Sequence, residues 1–197
     1  GIRYTIETAS LRRLTEILAV VNFFYFAANS LLVLYNEDLL GGGKATFTAL
    51  SVGAASGTVA SRFFLEKITQ RLGTTRTLEV SLWAWAAATV GLALATNPLT
   101  AIISHVILGI GSGWWIALNT TLRQQITPTR MLGRMNAVSR TVTWGIVPFG
   151  ALFGGVSARI FGLRGPFIIS AVVMVSYAIF SRQLLKPIRE AVNNLQQ

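Results

Sequence analysis

Between Glu79 and Arg123 the chain carries no aspartate, glutamate, lysine or arginine for 43 residues (80–122), and one turn signal, Asn97-Pro98, interrupts the run. A helix needs roughly 20 mostly apolar residues to cross the hydrocarbon of a bilayer, and non-helical backbone cannot face lipid there. The run therefore reads as two membrane-crossing helices joined by a tight hairpin. Charges bound four more apolar runs, at 17–36, 45–61, 141–158 and 165–181, each long enough to span with help from its flanks. The expectation is an all-α membrane protein of six transmembrane helices. A lead-in covers 1–16, the six-helix domain 17–181, and a tail 182–197.

The charges that remain are unevenly placed. Seventeen basic residues against seven acidic ones give a net charge of +10, which in a soluble chain would point to nucleic acid. Here Arg3, Arg12 and Arg13 precede the first run, and Arg62, Lys67, Arg71 and Arg76 join the second to the third. Arg123, Arg130, Arg134 and Arg140 join the fourth to the fifth, and Arg182, Lys186 and Arg189 follow the sixth. Only Lys44, Arg159 and Arg164 fall on the opposite side. By the positive-inside rule the basic side is cytoplasmic and both termini lie there. The excess positive charge then reports topology and an anionic lipid leaflet, with the bilayer as partner and no nucleic acid.

The connections on the outer side are short: 37–44 with Gly41-Gly42-Gly43, then Asn97-Pro98, then 159–164. Those on the inner side, 62–79 and 123–140, read as longer basic loops. The five tryptophans, Trp83, Trp85, Trp114, Trp115 and Trp144, all fall in the inner halves of their segments and read as an interfacial belt. Ile2, Ile6 and Leu14 mark the apolar side of a short helix lying on the inner surface. The opening Gly-Ile-Arg-Tyr-Thr-Ile-Glu-Thr has neither an initiator methionine nor a signal-peptide apolar region, and reads as a stretch from within a longer polypeptide. The tail beyond Pro187 is polar and is expected to fray.

Small residues recur four apart: Gly53, Gly57 and Ser61; Gly109 and Gly113; Gly150 and Gly154. That spacing lines one helix face and lets backbones approach closely, either as static packing or as smooth faces on which helices rock. The chain has no cysteine, which excludes disulfides, thiolate catalysis and cysteine-bound metal. None of the seven acids (Glu7, Glu16, Glu37, Asp38, Glu66, Glu79, Glu190) lies inside an apolar run. A proton-driven pump normally uses an intramembrane carboxylate, so if protons are the coupling ion their main acceptor is elsewhere. His105 is the one candidate titrating group within the runs.

Seven-residue spacing puts His105, Ser112 and Asn119 on one face, with Trp115 beside it. The first run carries a similar stripe of Asn22, Phe26 and Asn29, with Tyr25 adjoining. Each polar residue has a plain structural reading as an interhelical hydrogen bond, but two polar and aromatic stripes on separate helices suggest the wall of a shared cavity. An enzyme reading fails on geometry. A serine nucleophile needs a histidine base from another helix, whereas His105 and Ser112 share one helix about 10 Å apart along its axis. One histidine without cysteine cannot build a familiar zinc site, and Gly41-Gly42-Gly43 lacks the following Lys-Ser/Thr of a phosphate cradle. No cofactor and no metal are expected.

Two stretches carry a family resemblance. Gln125-Ile-Thr-Pro128-Thr-Arg-Met-Leu132-Gly133-Arg134-Met-Asn136-Ala137 leads into Trp144-Gly145-Ile-Val-Pro148-Phe-Gly150-Ala-Leu-Phe-Gly154-Gly155. This resembles the tenth-to-eleventh helix region of major facilitator superfamily transporters, closest to the bacterial macrolide-efflux and enterobactin-exporter branch. Arg71-Leu72-Gly73-Thr-Thr-Arg76 resembles the second copy of that superfamily's basic loop motif, with Gln70 where an aspartate usually stands and Glu66 one turn earlier. Gly145, Pro148, Gly150, Gly154 and Gly155 resemble a counterpart, in the eleventh helix, of its antiporter motif.

The resemblance covers essentially the whole chain. It implies the C-terminal six-helix half of an exporter of small amphipathic molecules, of drug or siderophore type, in the bacterial cytoplasmic membrane. The first, second, fourth and fifth helices would face the central cavity, and the third and sixth would be peripheral. Arg76 and Arg134 would latch the cytoplasmic side against a missing N-terminal six-helix half. The alternatives are a half-size protein that transports as a homodimer, or a non-transporting scaffold that binds a partner.

Overall fold

The computed structural model describes residues 2–195; Gly1 and the side chain of Ile2, both part of the expected lead-in, lie outside what is described. In order the elements are α1 (Ile2–Glu7), α2 (Ala9–Asn29), α3 (Leu32–Leu34), a π-helical turn (Tyr35–Leu39), α4 (Lys44–Leu72), α5 (Thr74–Leu94) and α6 (Pro98–Ile126). A 3-10 turn (Thr129–Met131) follows, then α7 (Leu132–Gly145), α8 (Val147–Phe161), α9 (Gly165–Ile179), α10 (Ser181–Leu184) and α11 (Lys186–Leu195). Among the described residues there is no strand.

Three helical stretches are long and apolar enough to cross a membrane: Thr74–Leu94, Pro98–Ile126 and Thr129–Phe161. A fourth is the pair Ala9–Asn29 and Leu32–Leu39, bent by 48°. Length and composition thus identify three spans, or four, of the six expected. α4 has 29 residues, but its glycines, serines and threonines dilute its apolar content. α9 is apolar but has only 15 residues, about 22 Å of helix against a hydrocarbon thickness of about 30 Å.

The expected hairpin at Asn97-Pro98 is present. Asn97 caps α6, its Oδ1 accepting from the Thr100 N–H at 3.0 Å, with Pro98 in the first turn, where its missing N–H costs nothing. The two long basic loops are not. α4 runs straight through Arg62, Lys67 and Arg71, and only Gly73, at φ +80°, separates it from α5. α6 continues to Ile126, and α7 begins again at Leu132. Helix α2 likewise runs through the expected boundary at residue 16. Leu14 is buried within it, whereas Ile6 is exposed on α1, so the two do not share one surface helix.

α4 lies along α6, α2 lies along α8, and α5 packs between α6 and α9. The small-residue stripes make the first two seams. A Cβ on Gly57 would strike the Val106 carbonyl and one on Gly109 the Ala54 carbonyl; on Gly150 and Gly154 it would strike the carbonyls of Phe23 and Ala27. The tryptophans do not form a belt. Trp85, Trp114 and Trp115 are buried, while Trp83 and Trp144 are exposed.

The tail is helical as far as Leu195, and its last two residues, 196 and 197, lie outside the described residues. Leu185 and Ile188 are fully buried in the main core with Leu14, Leu78 and Leu122. Arg189 donates to Glu79 Oε1 at 2.7 Å, so α11 is docked across the basic ends of α2, α5 and α6.

At the opposite end, side chains satisfy the last carbonyls of α5. Arg164 donates to the carbonyls of Ala93 (3.2 Å) and Ala95 (2.8 Å). The Tyr35 hydroxyl reaches those of Leu92 and Ala95. A cation at a helix C-terminus also opposes the helix dipole. Arg164→Ala is therefore expected to cost about 2 kcal/mol, read as a lower thermal midpoint in detergent, whereas Arg159→Ala, which touches none of these carbonyls, is expected to change nothing.

Candidate functional site

A cavity of about 360 Å³ opens between α2, α4, α5, α6, α7 and α9. No charged side chain lines it. Asn22 and Phe26, one turn apart on α2, and Ser112 on α6 are in its wall, as their stripes suggested. Asn29 and His105 line a smaller adjoining cavity of about 20 Å³, which shares Tyr25, Thr89, Leu108 and Ser170 with the larger one. That is room for about one water.

Most polar hydrogens of the larger wall are already engaged. Asn22 donates from Nδ2 to the Thr143 carbonyl at 2.7 Å, holding α2 to α7. The Thr58 hydroxyl faces the carbonyls of Ala54 and Gly109 at 3.0 and 3.2 Å. Trp85 donates from Nε1 to Ser112 Oγ at 2.9 Å. Thr89 bonds the Trp85 carbonyl at 2.9 Å, and Ser170 bonds that of Pro166 at 2.7 Å. Hydroxyls in an apolar helix normally return their proton to a carbonyl one turn back.

His105 is 3% exposed, with Nδ1 3.0 Å from the Ala101 carbonyl. A carbonyl only accepts, so Nδ1 carries a proton and donates it there.

Three aromatic rings meet on one side of the wall. Tyr25 and Phe26 are 5.0 Å apart between centroids in an edge-to-face arrangement, and Phe26 and Trp144 are 6.2 Å apart. Trp144 is 60% exposed and reaches this wall from α7.

Trp115 and Asn119 are not in the wall, contrary to the stripe that began at His105. Trp115 is fully buried against Trp85, 5.2 Å between ring centroids, and its Nε1 has no partner. Asn119 accepts at Oδ1 from Arg123 Nε at 2.8 Å. Arg123 is itself 6% exposed and also donates to Thr15 Oγ1 at 3.1 Å, with Met135 Sδ at 3.8 Å. One guanidinium thus ties the basic ends of α2, α6 and α7. Among the described residues no carboxylate meets it, but it lies in the last turn of α6, where the helix dipole favours a cation. The stripe splits because fourteen residues of helix cover about 21 Å, so one face passes through several depths.

The motif residues occupy hinges and seams. Arg71 and Gly73 sit at the α4–α5 junction, Arg76 in the first turn of α5, and Gly133 and Arg134 at the start of α7. Arg71, Arg76 and Arg134 are exposed and form no ion pair with the described residues. Glu66 accepts from Gln70 Nε2 at 3.1 Å, so the acid one turn before the motif is engaged within its own helix. Gly145 and Pro148 flank the break between α7 and α8; proline there removes one helical hydrogen bond.

Trp85, Thr89, Ser170 and Thr58 complete the wall, and the stripes did not include them. The signal that could have found Thr89 and Ser170 is their polarity inside apolar helices; they lie on α5 and α9, the third and sixth spans, which were expected at the periphery but contribute to the wall.

The model of the family described as the Major Facilitator Superfamily matches residues 17–196. No curated protein matches the chain.

Proposed function

Because the chain belongs to the major facilitator superfamily, we propose that it forms one six-helix half of a secondary transporter that exports small amphipathic molecules by alternating access. All six rods cross the bilayer, α4 on the strength of its length and α9 with the continuation through α10. The basic end is cytoplasmic, in a bacterial inner membrane, and the motif pattern favours the macrolide-efflux and enterobactin-exporter branch. A second six-helix half supplies the facing wall, and the two halves rock about a substrate held near mid-membrane.

The observation that carries this reading is the uncharged cavity of about 360 Å³ bounded by six helices. Ligand sites are concave and mostly apolar, with few polar groups, and a scaffold has no need of one. Arg71, Arg76 and Arg134, exposed and without an ion pair among the described residues, supply the latch to the other half.

Reconstituted by itself in proteoliposomes, the chain is expected to give no flux of an amphipathic fluorescent dye above protein-free vesicles. Completed with a partner half, it is expected to give flux. Flux from the chain alone would replace this reading with the homodimeric one, and none from the completed pair would leave a partner-binding scaffold.

A further inference from the structure

We infer that a cleft between the basic ends of α2, α9 and α10 binds the headgroup of an anionic phospholipid, of phosphatidylglycerol type. The inference is independent of what the central cavity carries and needs only that this side of α9 borders lipid. The cleft, of about 370 Å³, is lined by Arg13, Ser176, Tyr177, Phe180, Gln183 and Leu184. Arg13 stands one turn before the first apolar run and Tyr177 one turn before the end of the last. The cleft therefore lies where hydrocarbon gives way to headgroups, the level that tyrosine favours.

Most of its donors are uncommitted. Arg13 meets Glu16 Oε2 through Nη1 at 3.0 Å, and its other two nitrogens have no partner among the described residues. The Tyr177 hydroxyl and the Gln183 amide likewise form no hydrogen bond there. Ser176 has spent its proton on the Val172 carbonyl at 2.8 Å. Phosphate offers acceptor oxygens only, which suit a guanidinium with neutral donors beside it. Glu16 does not cancel the charge, because Arg12 shares it at 3.6 Å. Arg182, next to Gln183, and Lys186 are exposed at the same end and add to the surplus. That surplus favours a headgroup that carries phosphate without a cation of its own, and a basic recess between spans is a recurrent headgroup site.

The surface beside the cleft points to a lipid as the source of that phosphate. Ile168 and Val172 lie two turns and one turn before Ser176 on the same face of α9, and both are exposed, at 49% and 61%. Phe180, one turn beyond Ser176, is also exposed and lines the cleft itself. An acyl chain laid along this apolar face would cover it while its headgroup fills the cleft. Free phosphate would use the donors alone.

Dioctanoyl phosphatidylglycerol is the direct probe, titrated into the full chain in neutral detergent and counted by native mass spectrometry. Dioctanoyl phosphatidylcholine and inorganic phosphate are the comparisons. Saturable retention of one phosphatidylglycerol is expected, about tenfold tighter than phosphatidylcholine and not displaced by millimolar phosphate. Arg13→Gln should weaken it by about tenfold and Tyr177→Phe by about threefold. Arg13→Lys, which keeps the charge, should recover part of the loss. Lys67→Gln removes an exposed charge from the same end but outside the cleft, and should leave binding unchanged. Arg13 and Tyr177 are partly exposed, so the variants are expected to fold, with circular dichroism as the check.

Three results would each overturn the inference. Phosphatidylcholine held as tightly would mean that net charge is not recognised. Displacement by inorganic phosphate would mean a site for a free anion. Equal losses in Arg13→Gln and Lys67→Gln would mean a diffuse basic surface without a built site. None of them touches the transport reading, which the flux measurement tests separately.

Discussion

Gly154→Leu is expected to destabilise the bundle severely, whereas Gly155→Leu beside it leaves the bundle intact. A Cβ on Gly154 falls onto the carbonyl oxygen, carbonyl carbon and Cα of Ala27, all of them backbone of α2. Side chains relieve overpacking by changing rotamer, at about 1–3 kcal/mol. Backbone of a neighbouring helix cannot, and the only relief is to part α2 from α8.

That separation would also disturb Gly150, which sits against the Phe23 carbonyl on the same seam. A cost of at least about 3 kcal/mol follows, a large share of the roughly 5–15 kcal/mol that holds a typical domain together. At Gly155 nothing lies within 4 Å of the added atom. Thermal unfolding in detergent, followed by circular dichroism, should show Gly154→Leu lowered by more than about 10 °C or not folded, and Gly155→Leu within about 2 °C of the parent. Equal effects at the two positions would mean that α2 and α8 do not meet as described.

This pair also marks how far the chain could be read unaided. Spacing of four identified Gly150 and Gly154 as a packing face, because a helix repeats its face on that period, but the partner is fixed only by tertiary structure. The charge-free run and Asn97-Pro98 located the α5–α6 hairpin, since both the membrane constraint and the cap are local. The basic segments misled. Arg62, Lys67 and Arg71 end the apolar run, yet arginine and lysine are good helix formers, so the helix ends where Gly73 ends it, three turns later. In the cavity, Asn22 and Ser112 were legible as polar residues in apolar helices. Trp85 was not, because its hydrogen bond to Ser112 joins residues 27 apart, and no periodicity within one helix encodes that pairing.

The second large effect is expected in the tail. Ile188→Asp should detach α11 and destabilise the whole bundle, while Arg189→Ala should scarcely matter. Polar composition after Pro187 suggested fraying, but Ile188, with Leu185 and Val192 on the same side of the tail, makes a narrow apolar stripe on an otherwise polar segment. Ile188 is fully buried among residues of α2, α5 and α6. Truncating such a side chain costs about 2–5 kcal/mol, and a carboxylate in its place adds the cost of an unpaired buried charge.

The ion pair of Arg189 with Glu79, though 2.7 Å long, has an arginine side chain 44% exposed. Exposed pairs contribute about 0–1 kcal/mol and weaken with salt. The hydrophobic contact, not the salt bridge, therefore holds the tail. Limited proteolysis from the C-terminus separates the two: Ile188→Asp should be trimmed rapidly and Arg189→Ala at the parent's rate in both low and high salt. Rapid trimming of Arg189→Ala would instead show that the docking is electrostatic. α11 touches both α2 and α6, whose basic ends Arg123 also ties together, so the hydrophobic docking of the tail and the buried guanidinium hold the same helix ends.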